Sequence, residues 1–339
     1  MLRLLVVSNA YPSDEKPYAG VFVRNQVARL SNLGVDAHVF AMRRTFTGRV
    51  GSVLKYLSAF ARFMPQLLRS YDVVHVHFLS PLLFPAWLYA VVHPRSKLVL
   101  TVHGSGVRRL EHRRVARALY AALVRRVDTL HAVGRTLAED ATRLLRRPVD
   151  LVLPAGVDRR IFRPMPDEDD VYDFIFVGSL TRTKGFDLLM EAYRSLAGKP
   201  TLCVVGSGEF ADHLGDLEGV VYRASLPPEE VAREMNRARF LVLPTRMDAF
   251  GLVVAEAMSC GVPVLATAVD GMLEQITEDA NGLLVRPSTA EALATVMEVA
   301  LNLDFEDYQK LSEGAIRLNP EYALDAVCAR LVDVYEAGR

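Results

Sequence analysis

The chain has 339 residues, 51% hydrophobic and 24% charged, which is too long for one compact core and excludes a disordered, collagen-like or disulfide-stapled protein. Lys and Arg (40) balance Asp and Glu (40) overall, yet residues 1–165 hold 26 basic and 10 acidic side chains against 14 and 30 in the remainder. That asymmetry points to an anionic partner for the first half alone, and no nucleic acid is expected.

Twelve short apolar runs recur along the chain, at 2–7, 35–41, 73–78, 98–102, 129–133 and 151–153, then at 174–177, 202–205, 220–222, 240–243, 262–266 and 283–285. Segments of helical period separate them. Strands apolar on both faces belong to parallel sheets covered by helices, so each half reads as a doubly wound α/β unit. A ligand is expected at the carboxyl ends of the strands, in a cleft between the two sheets.

The run at 2–7 is too short for the apolar core of a secretory signal and reads as the first buried strand. Residues 43–70 carry Arg43, Arg44, Arg49, Lys55, Arg62 and Arg69 and no acid. Val50, Val53, Leu54, Leu57, Phe60, Ala61, Met64 and Leu67 recur there at helical spacing, and Pro65 divides the segment. This basic amphipathic stretch suits an anionic membrane face; the alternative is that its apolar stripe covers the sheet. Strand 73–78 brings His75 and His77 to one face. Without a third ligand in view they read as partly buried histidines rather than a metal pair, and no metal site is expected. The uncharged stretch 78–92 contains Pro81 and Pro85 and is shorter than the about 20 residues a bilayer span needs. A second basic cluster, Arg108, Arg109, Arg113, Arg114 and Arg117, follows His103.

Residues 162–170, with Pro164, Pro166 and the acids Asp167, Glu168, Asp169 and Asp170, read as an exposed linker. Beyond it, strand 174–177 runs into a loop with Gly178, Arg182, Lys184 and Gly185 before a helix. Two cations ahead of a helix N-terminus can converge with backbone amides on a phosphate, although a solvated basic turn fits this segment equally well. Gly206 and Gly208 imitate a dinucleotide fingerprint on the second strand of the unit and read as a tight turn. Strand 240–243 then leads into Asp248, a helix opening near Phe250 and Gly251, and Glu256. Eight residues separate the two carboxylates, just over two helical turns, so both can lie on one side of the element. Cys203, Cys260 and Cys328 show no paired spacing, which indicates neither zinc nor a disulfide framework and suits a reducing compartment.

Taken in order, these segments resemble the retaining nucleotide-sugar glycosyltransferases of the GT-B fold, glycosyltransferase family 4. The resemblance rests on Pro154, Gly156 and Asp158 followed by Phe162 and Pro164; on Gly178 with Lys184 and Gly185; on Gly206 and Gly208; on Asp248 to Glu256; and on Gly261, Pro263, Glu274 and Gly282. In the first half, Gly20 before a helix, Asp72 to His77, and Thr101 to Gly104 match the family's acceptor-side domain.

The resemblance implies an α/β GT-B architecture of two Rossmann-like domains facing each other across a cleft. These are an acceptor-side domain 1–163, a donor-binding domain 164–318, and a C-terminal helix 319–339 returning toward the first. The implied activity is transfer of a sugar from a nucleotide-diphosphate sugar, a co-substrate rather than a cofactor, to a glycan or lipid-linked acceptor in cell-surface glycan or glycolipid synthesis. The implied location is cytoplasmic, peripheral on the inner face of the membrane. By the same resemblance Lys184 neutralises the diphosphate, with Arg182 beside it. Glu256 holds the ribose hydroxyls, and the amides of Phe250, Gly251 and Leu252 contact sugar or phosphate. Gly20 lines the donor site, while His103, Asp248 and Lys184 serve catalysis. Ser179 stands where the family commonly has Arg, Asp248 where it has Glu, and Ala155 where it has Asn, departures that bear on donor choice. A sugar-nucleotide epimerase, a phosphorylase or a non-catalytic sugar-nucleotide-binding partner could share this fold.

Overall fold

The computed structural model describes residues 1–13, 19–42, 48–165, 168, 171–215, 217–317 and 320–338. The chain separates into two compact units, Met1–Gly156 together with Leu324–Arg339, and Val157–Ala323.

In the first unit six parallel strands lie in the order β2-β1-β3-β4-β5-β6, namely β1 (Arg3–Ser8), β2 (Asp36–Ala41), β3 (Val73–His77), β4 (Lys97–Val102), β5 (Thr129–Ala132) and β6 (Leu151–Val152). Leu4, Leu5, Val6 and Val7 are all buried, which is why the run is apolar throughout instead of alternating. One face of β1 packs Leu4 and Val6 with Val23 and Leu30 of the helix Val21–Asn32 and with Val327, Cys328, Leu331 and Tyr335 of the C-terminal helix Leu324–Glu336. Lys97 caps that last helix, its Nζ donating to Val334 O at 2.5 Å and Ala337 O at 3.1 Å, where a cation also meets the negative end of the helix dipole. The C-terminal helix is therefore part of the first unit's core.

The second unit repeats the architecture with the order β12-β11-β10-β7-β8-β9. Its strands are β7 (Tyr172–Val177), β8 (Leu202–Val205), β9 (Val220–Arg223), β10 (Ala238–Leu243), β11 (Val264–Thr267) and β12 (Gly282–Val285), again all parallel. All twelve apolar runs form strands. In both units the order reverses beside the first strand, between β1 and β3 and between β7 and β10. Loops splay apart at such a switch point and leave room for a ligand.

The division falls at 156/157 and 323/324 rather than at 163/164 and 318/319, because the start of the expected linker is packed onto the second unit. Phe162 is buried, Met165 N donates to Asn236 Oδ1 at 2.7 Å, and Asn236 Nδ2 donates to Arg163 O at 3.1 Å. Glu168 is likewise engaged, 3.3 Å from Arg233 and 3.8 Å from Arg237. Residues 166, 167, 169 and 170 lie outside the described residues.

Among the described residues no helix is long and apolar enough to cross a membrane. The segment 78–92 instead supplies the helix Leu83–Val92, with Leu83, Ala86, Tyr89 and Ala90 buried.

Candidate functional site

At the second unit's switch point the loops after β7 and β10 clasp each other. Gly185 ends the first loop at φ +69 and caps the helix Phe186–Ser195; a Cβ there would lie 1.7 Å from Pro244 O. Only glycine permits that approach. Thr183 O accepts from Arg246 N at 3.0 Å and from Thr245 Oγ1 at 3.2 Å. Arg246 also forms a two-pronged pair with Asp187 at 2.7 and 2.9 Å and donates to Arg182 O at 2.5 Å. Partial burial pushes the Asp187 carboxyl up, but the Arg246 guanidinium outweighs it and holds the group below the ordinary carboxylate range. The phosphate-loop candidate is thus braced before any ligand arrives. Arg182 itself is 76% exposed, 3.6 Å from Asp187, with its amide bonded to Glu209 at 3.1 Å.

Lys184 Nζ forms a close ion pair with Asp248 Oδ2. The other Asp248 oxygen accepts from Gly251 N at 2.9 Å, and Asp248 N donates to Asp270 Oδ2 at 3.3 Å. The shorter carboxylate therefore caps the start of the helix Leu252–Ser259, using the helix's positive end and one amide that the resemblance assigns to a ligand. The amides of Phe250 and Leu252 meet no acceptor among the described residues. Gln275 Nε2 donates to Phe250 O and holds that turn. Gly206 and Gly208 are a tight turn, as read: a Cβ on Gly206 would lie 1.8 Å from Gly178 O.

Glu256 is half-buried one turn into the same helix. Among the described residues no donor reaches its carboxylate, and burial raises its pKa to about 7. Glu256 is thus a carboxylate without a side-chain or backbone donor among the described residues, on the helix that follows the second of the two clasped loops.

In the first unit Gly20 caps the helix Val21–Asn32 at φ +70; a Cβ would lie 2.2 Å from Ala10 O. That turn delivers Phe22 to His103, ring centroids 4.9 Å apart, while Phe78 closes from another side at 4.5 Å. Phe78 sits at φ +73, strained backbone for a bulky residue. His77 Nδ1 lies 3.3 Å from His103 Nε2. His75 and His77 are 1% and 2% exposed, fully buried rather than partly so.

Behind them runs a chain of hydrogen bonds with a single polarity. Tyr335 Oη meets His75 Nδ1 at 2.7 Å, His75 Nε2 meets Thr101 Oγ1 at 2.6 Å, Thr101 Oγ1 meets His131 Nδ1 at 2.8 Å, and His131 Nε2 meets Leu153 O at 2.6 Å. A carbonyl can only accept, so His131 donates from Nε2, Thr101 donates to His131, His75 donates to Thr101 and Tyr335 donates to His75. Both imidazoles are neutral with the proton on Nε2. Burial drives the pKa values down, to about 3 for His77 and about 4 for His131, and well below the ordinary value for His75 and His103, where neighbouring histidines add to the effect.

Two family models match the chain in succession, Glycosyltransferase Family 4 over residues 19–160 and Glycosyl transferases group 1 over residues 158–318. The chain belongs to the family 4 glycosyltransferases. It is 28% identical to TuaC of Bacillus subtilis strain 168, a protein whose name assigns it as a glycosyltransferase of teichuronic acid biosynthesis, over 86% of this chain and 87% of the relative. Its fold is that of sucrose-phosphate synthase from Thermosynechococcus elongatus, with TM-score 0.77, 19% identity and 99% and 98% of the two chains covered. It is equally that of Anabaena HepE in complex with UDP and glucose, with TM-score 0.77, 16% identity and 99% and 100% covered. The GT-B expectation of two Rossmann-like domains holds.

The structure brings Arg182, Lys184, Asp248, Phe250, Gly251, Leu252 and Glu256 onto one pair of loops and the helix that follows, and Gly20 and His103 onto the other unit's strand ends. Sequence reasoning passed over Arg246, Gln275, Phe22, Phe78 and Tyr335. The first four lie beside quoted motifs, so their neighbourhood was a signal; Tyr335 offered none.

Proposed function

We propose that this glycosyltransferase is a retaining enzyme that moves a sugar from a nucleoside-diphosphate donor to a glycan or lipid-linked acceptor. The observation that carries the reading is the paired site at the β7/β10 switch point, Lys184 on one loop and the unpartnered Glu256 on the helix after the other. The diphosphate gains charge as the sugar leaves, and a cation with open helix-start amides favours that state over the ground state. Glu256 accepts from the ribose hydroxyls. The fold shared with a protein solved with UDP and glucose favours a nucleotide sugar of this kind. A panel of UDP-, GDP- and ADP-sugars, scored by nucleoside-diphosphate release with lipid and glycan acceptors, tests the assignment, and the anomeric configuration of the product by proton NMR tests retention. Turnover requiring an acceptor supports transfer. Epimerised or phosphorolysed donor, or binding without turnover, overturns it.

Because Asp248 both pairs with Lys184 and caps the helix, Asp248→Glu lengthens the reach of one carboxylate in a clasped loop. The expected result is a changed order of donor preference across the panel with turnover retained; an unchanged order shows that Asp248 does not face the donor sugar.

The acceptor side of the reading is a lipid-linked substrate presented on the inner, anionic face of a membrane. The helix Gly48–Phe63 buries Ala59 and Phe63 but exposes Val53, Leu54 and Leu57, and the turn Met64–Leu68 exposes Leu68. The apolar stripe thus faces solvent rather than the sheet, and Pro65 does divide the segment. The helix Arg114–Leu123 adds Val115 and Leu119, 86% and 55% exposed, beside the exposed Arg113 and Arg114. Arg43 and Arg44 lie outside the described residues. Exposed apolar side chains on helices that also carry Lys55 and Arg62, or Arg113 and Arg114, suit an interfacial, anionic surface, each cation contributing about 1 kcal/mol. Co-sedimentation with anionic vesicles that is lost at about 1 M salt, where the screening length falls to about 3 Å, is the expected result. Equal binding to neutral vesicles, or none to anionic ones, overturns it.

A further inference from the structure

His103 is gripped on three sides. Phe22 and Phe78 lie against its ring at 4.9 and 4.5 Å, and His77 Nδ1 meets its Nε2 at 3.3 Å. Its Nδ1 has no partner among the described residues, and the residue is only half-buried, whereas His77 is 2% exposed. A ligand entering this site therefore meets His103, and His77 acts only through it. His77 is held in turn, its ring stacked on His75 at 4.2 Å with an interplanar angle of 29°, and His75 is locked by the one-way chain from Tyr335 to Leu153. Two neutral imidazoles joined by one hydrogen bond share a single N–H, so the tautomers of His77 and His103 are coupled and neither changes without the other.

We propose that His77 is a positioning residue, which fixes the ring of His103 in one orientation and one tautomer so that its Nδ1 is presented to substrate. The kinetic part rests on the reading that His103 serves the transfer reaction; the tautomer part does not. Phe78 gives an independent reason to regard the site as held rather than relaxed, since its backbone is kept at φ +73 with its ring on His103.

The test is long-range proton–nitrogen correlation NMR on protein labelled with ¹⁵N-histidine, for wild type, His77→Phe and His77→Asn. Phenylalanine keeps the stacked ring and removes the hydrogen bond; asparagine places an amide near the lost Nδ1. Wild type is expected to show His103 as one tautomer, His77→Phe a mixture, and His77→Asn a return toward one. With UDP-glucose, UDP-N-acetylglucosamine and GDP-mannose as donors, kcat should fall about tenfold in His77→Phe with KM held, and recover in His77→Asn. Fluorescence of Trp87, the single tryptophan, confirms that each variant is folded. If His77→Phe does not fold, the wild-type and His77→Asn spectra decide alone: a His103 that already averages its tautomers in wild type overturns the proposal. So does a His103 pattern in folded His77→Phe identical to wild type. His103→Ala separates the two readings: full turnover there removes His103 from the reaction while the spectra still judge His77.

Discussion

Lys184→Ala and Glu256→Gln are each expected to lower transfer by about a hundredfold or more, on the order of 3 kcal/mol of transition-state stabilisation, and to move stability in different directions. Removing Lys184 leaves Asp248 without its ion-pair partner, although Gly251 N still bonds it at 2.9 Å, so the melting temperature should fall slightly. Glu256 is the opposite case. Burial raises its folded pKa to about 7 from the ordinary glutamate value of 4.5, so ionising it opposes folding, fully above pH 7 and not at all well below pH 4.5. Glu256→Gln should therefore stabilise the protein at pH 8 by about 1–3 kcal/mol, and the gain should vanish by about pH 4. An inactive but more stable variant is what a group retained for ligand binding gives. Thermal melts at both pH values with donor turnover measured in parallel check this. Full activity in Lys184→Ala removes the diphosphate assignment, and a Glu256→Gln protein less stable at pH 8 removes the account of the carboxylate.

The second large effect is acid unfolding of the first unit. His75, His77 and His131 are enclosed as neutral rings, with folded pKa values lowered to about 3 for His77 and about 4 for His131. Unfolded histidine binds its proton near pH 6.5. The stability from excluding these protons is present in full above pH 6.5 and is lost as the pH falls from there toward the folded values. Each ring costs about 1.4 kcal/mol per pH unit, about 2 kcal/mol by pH 5, against a total of about 5–15 kcal/mol for a typical domain. Trp87 lies in the first unit's helix Leu83–Val92, so its fluorescence follows this unit. Guanidinium midpoints should drop steeply between pH 7 and pH 5, before most carboxylates titrate. A midpoint constant across that range shows that the rings are not held neutral by the fold.

Twelve strands, the phosphate-loop candidate at 178–186 and the acid block from Asp248 to Glu256 could be read directly from the chain, because each depends on neighbours within about a dozen residues. An apolar run needs two buried faces, a glycine marks a close approach such as that of Gly185, and a cation before a helix is local chemistry. Family resemblance came from the same local segments in order, and the basic stripe at 43–70 was equally plain. Which way that stripe faced was not: the same spacing of Val53, Leu54 and Leu57 serves a sheet or a solvent-exposed surface, and only the packing of Ala59 and Phe63 decided it. Strand order likewise lies beyond periodicity, since β7 and β10 become neighbours only when the sheet forms, and with them Lys184 and Asp248, sixty-four residues apart. The expected linker at 162 looked exposed by composition, yet Phe162 found a core. The histidines show the division most clearly. His75 and His77 share a face by strand geometry alone, but what they do there depends on Thr101, His131, Leu153 and Tyr335, the last 260 residues away. Hydrogen bonds to such distant partners leave no spacing in a sequence. They exist only because three sheet strands and the terminal helix meet in one core, where a buried polar group must find whatever partner the fold provides.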